Sequence, residues 1–355
     1  MLVKDMMRFN SGKGLCTMDN RKKTMHPLAD FKGEVEELKK QYLAFLDSLS
    51  SNLAESGKNQ FFERAKNRGS GPCITFYTPF WYADVFGERD RETIKQIAMG
   101  SFYLYHFVTL KDDVLDQQGI NANEYLLLSD VVLEKSLEIY SQFASRRKLT
   151  FHFNKLMHQW NHAEAYLNRH QGRMVPYEAE DFQMMGEKAA ALKLCLPAFN
   201  GIRQQREPHF SGYIDKAVDA AVIGFQFMDD LLDWREDLEN DFYTYPLWIA
   251  LSSRQEEVRG DHRDIQYGVS EELYLSGIAE HILEKSNEYL ALSKDLFTDL
   301  HGKYWASFLD STMRQNSALL EAMQSKKQIL RYKKPVLHDL LAELERLIKI
   351  TLQPT

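Results

Sequence analysis

The chain is short of the residues that staple, kink or break a fold. Three cysteines (Cys16, Cys73 and Cys195) lie far apart in 355 residues. Their number is odd and their spacing fits neither a disulfide framework nor a zinc site, so free thiols in a reducing, cytoplasmic setting are expected. Proline (9) and glycine (18) are scarce, which argues against an all-β fold with many tight turns. No apolar run approaches the roughly 18 residues that a membrane span needs. The first residues, MLVKDMMRFNSGKGLC, lack the apolar stretch of a signal peptide. Positive charge is also short, with a net charge of −7, so no nucleic-acid partner is expected.

What is present is helical periodicity. Residues 1–30 carry no regular pattern and are expected to form a flexible lead-in; 31–355 read as one domain. The apolar spacing predicts helices near 33–56, 90–118, 122–145, 150–171, 178–199, 210–239, 271–299, 301–327 and 335–351. Asn121 with Glu124 and Ser253 with Glu256 have the spacing of capping boxes, and Ser270 before Glu271 and Glu272 suits a helix start. No strand-like alternation runs longer than a few residues. The expected fold is all-α, an antiparallel bundle of long helices.

Two stretches carry charge where a helix would bury apolar residues. YLYHFVTLKDDVLDQ (103–117) ends in Asp112, Asp113 and Asp116; GFQFMDDLLDWREDLEND (224–241) repeats Asp229, Asp233, Asp237 and Asp241 at every fourth position. Like charges four apart weaken a helix by a few tenths of a kcal/mol per pair, so a cation is needed to compensate. Residues i and i+4 share a helix face. Carboxylates on facing helices suit magnesium, which takes one or two of them per ion and completes its shell with water and phosphate oxygens. A single Asp-Asp-x-x-Asp is weakly specific; two, each after an apolar helical run, are far more so. Neither has the glycine or alternation of an EF-hand loop. His158 and His162 have a zinc-compatible spacing without a third ligand, and SGKGL (11–15) lacks the P-loop frame.

These motifs resemble those of the class I isoprenoid synthases, the superfamily of trans-prenyl diphosphate synthases, class I terpene synthases and squalene/phytoene synthases. LKDDVLD resembles the first aspartate-rich motif and GFQFMDDLLD the second. EKAAALK (187–193) resembles the Lys-Thr helix, with Ala189 in place of threonine, and DFYTYPLWIAL (241–251) resembles the segment after the second motif. The resemblance implies a bundle around a central apolar cavity with two acidic rims at its mouth. It further implies an allylic prenyl diphosphate substrate and three magnesium ions held by Asp112, Asp113, Asp116, Asp229, Asp233 and Asp237, with Asp112, Asp116 and Asp229 central to catalysis. Lys188, Arg235, Arg331 and Tyr332 are the candidate diphosphate ligands. Phe102, Tyr103, Phe107 and Gln226 are the candidate pocket lining, with Tyr105 beside them. Aromatic faces there could stabilise a cation by roughly 0.5–2 kcal/mol each.

Departures from the pattern bear on the reaction. No basic pair follows the first motif before Lys135, no Gly-Lys-Arg element stands near the N-terminus, and Asp241-Phe242 replaces the Gly-Lys beyond the second motif. Two diphosphates need more cations than one, so the expected activity is that of a class I terpene synthase, a carbon–oxygen lyase acting on phosphates. The alternative is a trans-prenyltransferase that elongates or joins chains; a third is a non-catalytic partner subunit of such a synthase. The superfamily also admits a homodimer.

Overall fold

A computed structural model describes residues 26–67, 74–115, 122–188, 190–202, 209–253, 262–333 and 337–352. The described residues form helices joined by short connections, and no strand; one isolated antiparallel bridge pairs Gln171 with Phe242. In chain order the helices are α1 (Lys32–Asp47), α2 (Ser51–Asn67), α3 (Thr78–Phe86), α4 (Arg91–Leu115) and α5 (Ala122–Ser141). Then come α6 (Arg146–Leu167), α7 (Ala179–Glu187), α8 (Ala190–Lys193), α9 (Leu196–Ile202) and α10 (His209–Glu239). The last five are α11 (Tyr245–Ser252), α12 (His262–Leu275), α13 (Ile278–Asp299), α14 (Lys303–Lys333) and α15 (Leu337–Leu352).

The all-α expectation holds, and the differences from the predicted spans have local causes. The span 33–56 divides because Ser48 caps α1 and the chain restarts at Ser51. The span 271–299 also divides: Gly277 adopts φ +96°, a left-handed conformation that costs glycine little. Ser270 is therefore a buried residue inside α12 and not a helix start. Ser253 ends α11, its Oγ donating to the Ala250 carbonyl at 2.8 Å, so it does not open a helix; Glu256 and Asn121 lie outside the described residues. Helices α3 and α11 have no predicted counterpart. Both are short and almost wholly apolar, with proline in the first turn, so they carry no polar face from which to read a period.

The core is continuous from α1 to α15. Its most extensive helix contacts pair α4 with α5 and α10 with α13. The second pair approaches closely because Gly224 faces α13. There the Ser286 hydroxyl donates to the Gly224 carbonyl at 2.7 Å, and Ser293 donates to the Ala217 carbonyl at 2.6 Å. A Cβ at Gly224 would lie 2.8 Å from Leu290 Cδ2 and 3.0 Å from the Ser286 carbonyl. Gly224→Ala is therefore expected to destabilise the fold by about 1–3 kcal/mol through overpacking. A thermal melt that matches the parent chain would refute this close-contact account.

Candidate active site

The first rim is built on α4, whose last turns are buried almost all round. Asp112 and Asp113 are both buried. Gln60 of α2 donates Nε2 to Asp113 Oδ2 at 2.8 Å, which holds Asp113 against α2. Asp112, about 100° round the helix, faces elsewhere, so the two adjacent carboxylates have different surroundings. Asp116 lies outside the described residues. Nearly two turns before Asp112 on the same helix, His106 shares a buried hydrogen bond with Tyr42 of α1.

The aromatic candidates divide by neighbour. Phe102 stacks on Phe76 with ring centres 3.8 Å apart, and Tyr103 meets Phe45 edge-on at 4.8 Å. Phe107 meets Trp160 of α6 edge-on at 6.3 Å. One turn beyond Trp160, Glu164 pairs with Lys188 at 3.0 Å. Lys188 is buried at the C-terminal cap of α7. Trp160 and Glu164 share a face of α6, so the face that touches α4 also carries Lys188.

The second rim is α10. Asp229, Asp230 and Asp237 are buried and Asp233 is half-buried. At 100° per residue, Gln226, Asp230, Asp233 and Asp237 fall on one stripe with Asp229 at its edge. Gln226 donates its Nε2 to Asp230 Oδ1, and its own Oε1 is buried without a hydrogen-bond partner. Arg235 lies on the opposite side of α10. It stacks over Trp234 at 4.3 Å and makes a bidentate pair with Glu345 of α15 at 2.8 and 2.7 Å. A phosphate would have to displace a carboxylate of matched geometry to engage it. Trp234 is fixed in turn by donating Nε1 to the Tyr274 hydroxyl at 2.9 Å.

Beneath the end of α10 lies a charged strap that sequence reading did not single out. His170 and Asp181 are fully buried and 2.7 Å apart, and Arg169 adds Nη2 and Nε contacts to Asp181 at 2.5 and 3.2 Å. Burial pushes the Asp181 carboxyl up, but His170, the Glu178 backbone N–H and Arg169 outweigh it and hold it below the usual range. Burial pushes the His170 imidazole down, so its neutral form donates Nε2–H to Asp181. Tyr177 stacks on His170 at 4.1 Å and donates its hydroxyl to the Tyr243 carbonyl at 3.2 Å. Its phenol is pushed well up, first by burial and then by Asp230, Asp181 and Asp237. The Gly172 N–H donates to the Asp241 carbonyl at 2.7 Å, and Asp241 takes φ +52°. The strap thus clasps the last turn of the second rim. The acid spacing of Glu178 and Asp181, a capping box at the start of α7, was its one sequence signal.

Among the described residues no three His, Cys, Asp or Glu side chains converge to hold an ion by themselves. The donor set nonetheless fits magnesium. Every candidate is a hard oxygen, the carboxylates are carried by two helices, α4 and α10, and magnesium ordinarily draws its remaining ligands from water and phosphate. The buried, hydrogen-bond-free oxygens of Gln226 and Gln60 add acceptors next to each rim. His158 and His162 lie on the solvent face of α6. The side chains of Arg331 and Tyr332 lie outside the described residues. Cys195 is a free, buried thiol pushed up to about 12 by burial; Cys16 and Cys73 lie outside the described residues. No described helix is long and apolar enough to cross a membrane.

No protein-family model matches the chain, and no curated protein does. Solved structures do. Heptaprenyl diphosphate synthase from Staphylococcus aureus superposes with a TM-score of 0.65 at 14% identity, over 81% of this chain and 98% of that one. Geranylgeranyl pyrophosphate synthetase from the archaeon Geoglobus acetivorans gives 0.65 at 15% identity, over 80% and 99%. A polyprenyl synthase from Caulobacter crescentus, complexed with calcium and isoprenyl diphosphate, gives 0.64 at 13% identity, over 83% and 99%. Identity this low speaks to architecture alone, and the architecture agrees with the motifs: the chain has the class I isoprenoid synthase fold, in the form seen in trans-prenyl diphosphate synthases.

Proposed function

We propose that the protein is a magnesium-dependent trans-prenyltransferase that ionises an allylic prenyl diphosphate and passes the prenyl group to a second isoprenoid. The observation that carries this reading is the near-complete coverage of a heptaprenyl diphosphate synthase, a geranylgeranyl pyrophosphate synthetase and a polyprenyl synthase, combined with carboxylates on α4 and α10. It reverses the sequence-based preference for a cyclase. Bound magnesium would supply Lewis-acid stabilisation of the charge that develops on the leaving diphosphate.

The chain's own groups do the rest. Asp112, Asp116, Asp229 and Asp233 would bind metal, and Asp237 would complete the ladder. Asp113, held by Gln60, would orient the first rim. Lys188 would exchange Glu164 for a phosphate oxygen, a charge-assisted contact of the same kind. Buried aromatic walls exclude water from the allylic cation. The allylic C–O bond breaks with its electron pair going to diphosphate. The acceptor's double bond then attacks the freed carbon, and a proton is lost to restore an alkene.

One observation favours a second reading, cyclisation without an acceptor. Arg235 is committed to Glu345, and Lys193 to Asp219, so neither is ready to hold a second diphosphate. The deciding experiment incubates the protein with magnesium and C10, C15 and C20 allylic diphosphates, with and without isopentenyl diphosphate. Longer linear alcohols after phosphatase treatment, formed only with isopentenyl diphosphate, are the expected result. Volatile hydrocarbons or alcohols formed without it would replace transfer by cyclisation.

A further inference from the structure

The exchange proposed for Lys188 leaves a charge behind. Glu164 is the partner of Lys188 at 3.0 Å, and only 24% of the Glu164 side-chain surface is accessible. Once Lys188 turns to a phosphate oxygen, a largely buried carboxylate has lost its cation. Removing one member of such a pair leaves the other to bear its desolvation alone. A second cation within reach would avert that loss, and Lys111 is placed to be one. It stands immediately before Asp112 on α4 and is half-buried. Its ammonium lies 5.9 Å from the centre of the Phe107 ring, and among the described residues it meets no acid.

The register of α4 and α6 brings Lys111 and Glu164 level. Phe107 meets Trp160 edge-on. Lys111 is four residues beyond Phe107 and Glu164 four beyond Trp160, so each stands one turn further along the face that makes this contact. Short connections on either side of α5 reverse the chain twice, so α4 and α6 run the same way. Helical side chains lean back toward the N-terminus, which brings Lys111 over Phe107 and Glu164 over Trp160. Helix α8, which begins two residues after Lys188, touches both α4 and α6. Two atoms at this junction are buried without a hydrogen-bond partner: Glu164 Oε1, whose companion Oε2 holds Lys188, and the donor Trp160 Nε1. The carboxylate thus has one oxygen engaged and one open. While Lys188 is paired there, a second ammonium would meet its repulsion, and Lys111 stays on the ring.

We infer that Glu164 is a counter-ion relay: it holds Lys188 in the free protein and passes to Lys111 when a diphosphate draws Lys188 away. Lys111 is then a positioning residue that acts through Glu164 and does not touch substrate. This rests on the proposed function, whose diphosphate supplies the pull on Lys188. The flexible four-carbon stem of a lysine allows the movement, and a carboxylate holds an ammonium more strongly than a phenyl face does. One ion pair becomes two, with no carboxylate left unpaired at either stage. The same movement takes a positive charge off Phe107, whose ring face is then open to an allylic cation.

The test is a double-mutant cycle read by calorimetry, with inorganic pyrophosphate titrated in the presence of magnesium. Lys111→Met is expected to weaken pyrophosphate about tenfold in the parent chain, and Lys111→Arg to stay within about threefold of it. Glu164→Gln frees Lys188 beforehand, so this variant should bind at least as tightly as the parent. In the Glu164→Gln background, Lys111→Met should change binding less than twofold. If Glu164→Gln does not fold, Lys188→Met serves as the background: with no Lys188 to release, loss of Lys111 should again change binding less than twofold. Lys135→Met removes a lysine paired with Glu138 on α5 and should also stay within about twofold of the parent. An equal loss on Lys111→Met in the parent and in either background would mean direct contact with the anion and overturns the relay. No loss in the parent overturns it too, as does a matching loss in Lys135→Met, which would trace the effect to net charge. If the parent chain does not bind pyrophosphate, the proposed function falls and the relay falls with it.

Discussion

Replacing Asp229 by alanine is expected to lower the rate of diphosphate release at least a thousandfold, a loss of about 4 kcal/mol in transition-state stabilisation. The magnitude follows from what the carboxylate is proposed to hold. In the proposed reaction charge would develop on the leaving group beside buried aromatics, where electrostatic stabilisation is worth more than in water. Asp112→Ala should have the same effect from the other rim, and the double variant should be little worse than either single one, because the rims act as a unit. Asp113→Asn is the informative contrast. Its partner is Gln60, so a smaller loss is expected. Initial rates over a range of magnesium concentrations separate weakened metal binding from lost chemistry. A folded Asp229→Ala protein within tenfold of the parent rate would remove Asp229 from the metal site.

The largest expected effect on stability lies in the strap. Asp181→Asn leaves Arg169, 31% exposed, without its anion and takes the charged acceptor from the buried His170; solvent at Arg169 brings the cost below that of breaking a fully buried pair, to about 2–3 kcal/mol. With an unfolding entropy of about 2.1 cal/mol/K per residue, that lowers the melting temperature by roughly 3–4 °C. The pH dependence has a definite sign. The native Asp181 carboxyl is held below its unfolded value, so its contribution is fully present above about pH 4 and is lost as pH falls through the native value. The gap between the two proteins should be widest at neutral pH and close on acidification below about pH 4. Melting curves at pH 7, 5, 4 and 3 check this; parallel curves with a constant gap would exclude the carboxylate charge as its source.

The long amphipathic helices and both acidic stretches were legible in the sequence because they combine a clear helical period with a charge pattern that the period does not explain. Helix α10 runs from His209 to Glu239 against a prediction of 210–239. What was not legible depended on partners distant in sequence. Arg235 sits between two ladder aspartates and reads as a phosphate ligand; only Glu345, more than a hundred residues away, reveals its other commitment. Gln60 carries no motif, yet it distinguishes Asp113 from Asp112. The strap consists of single charged residues whose meaning arises on contact with residues 240–245. The missing basic pair after the first motif was visible, but its consequence for the reaction depends on where the remaining cations point.

The contact at Gly224 has a consequence for how this chain can vary in length. Gly224 fixes α10 against α13 by a backbone approach, and the acidic stripe begins within two turns of it on the same uninterrupted rod. One residue gained or lost between them would swing every carboxylate about 100° and shift it about 1.5 Å, turning the ladder from the pocket toward its neighbours. Substitution is open to this stretch; insertion and deletion are not. Related chains that differ in length must take up the difference in the connections between helices, leaving the count from Gly224 to Asp237 unaltered.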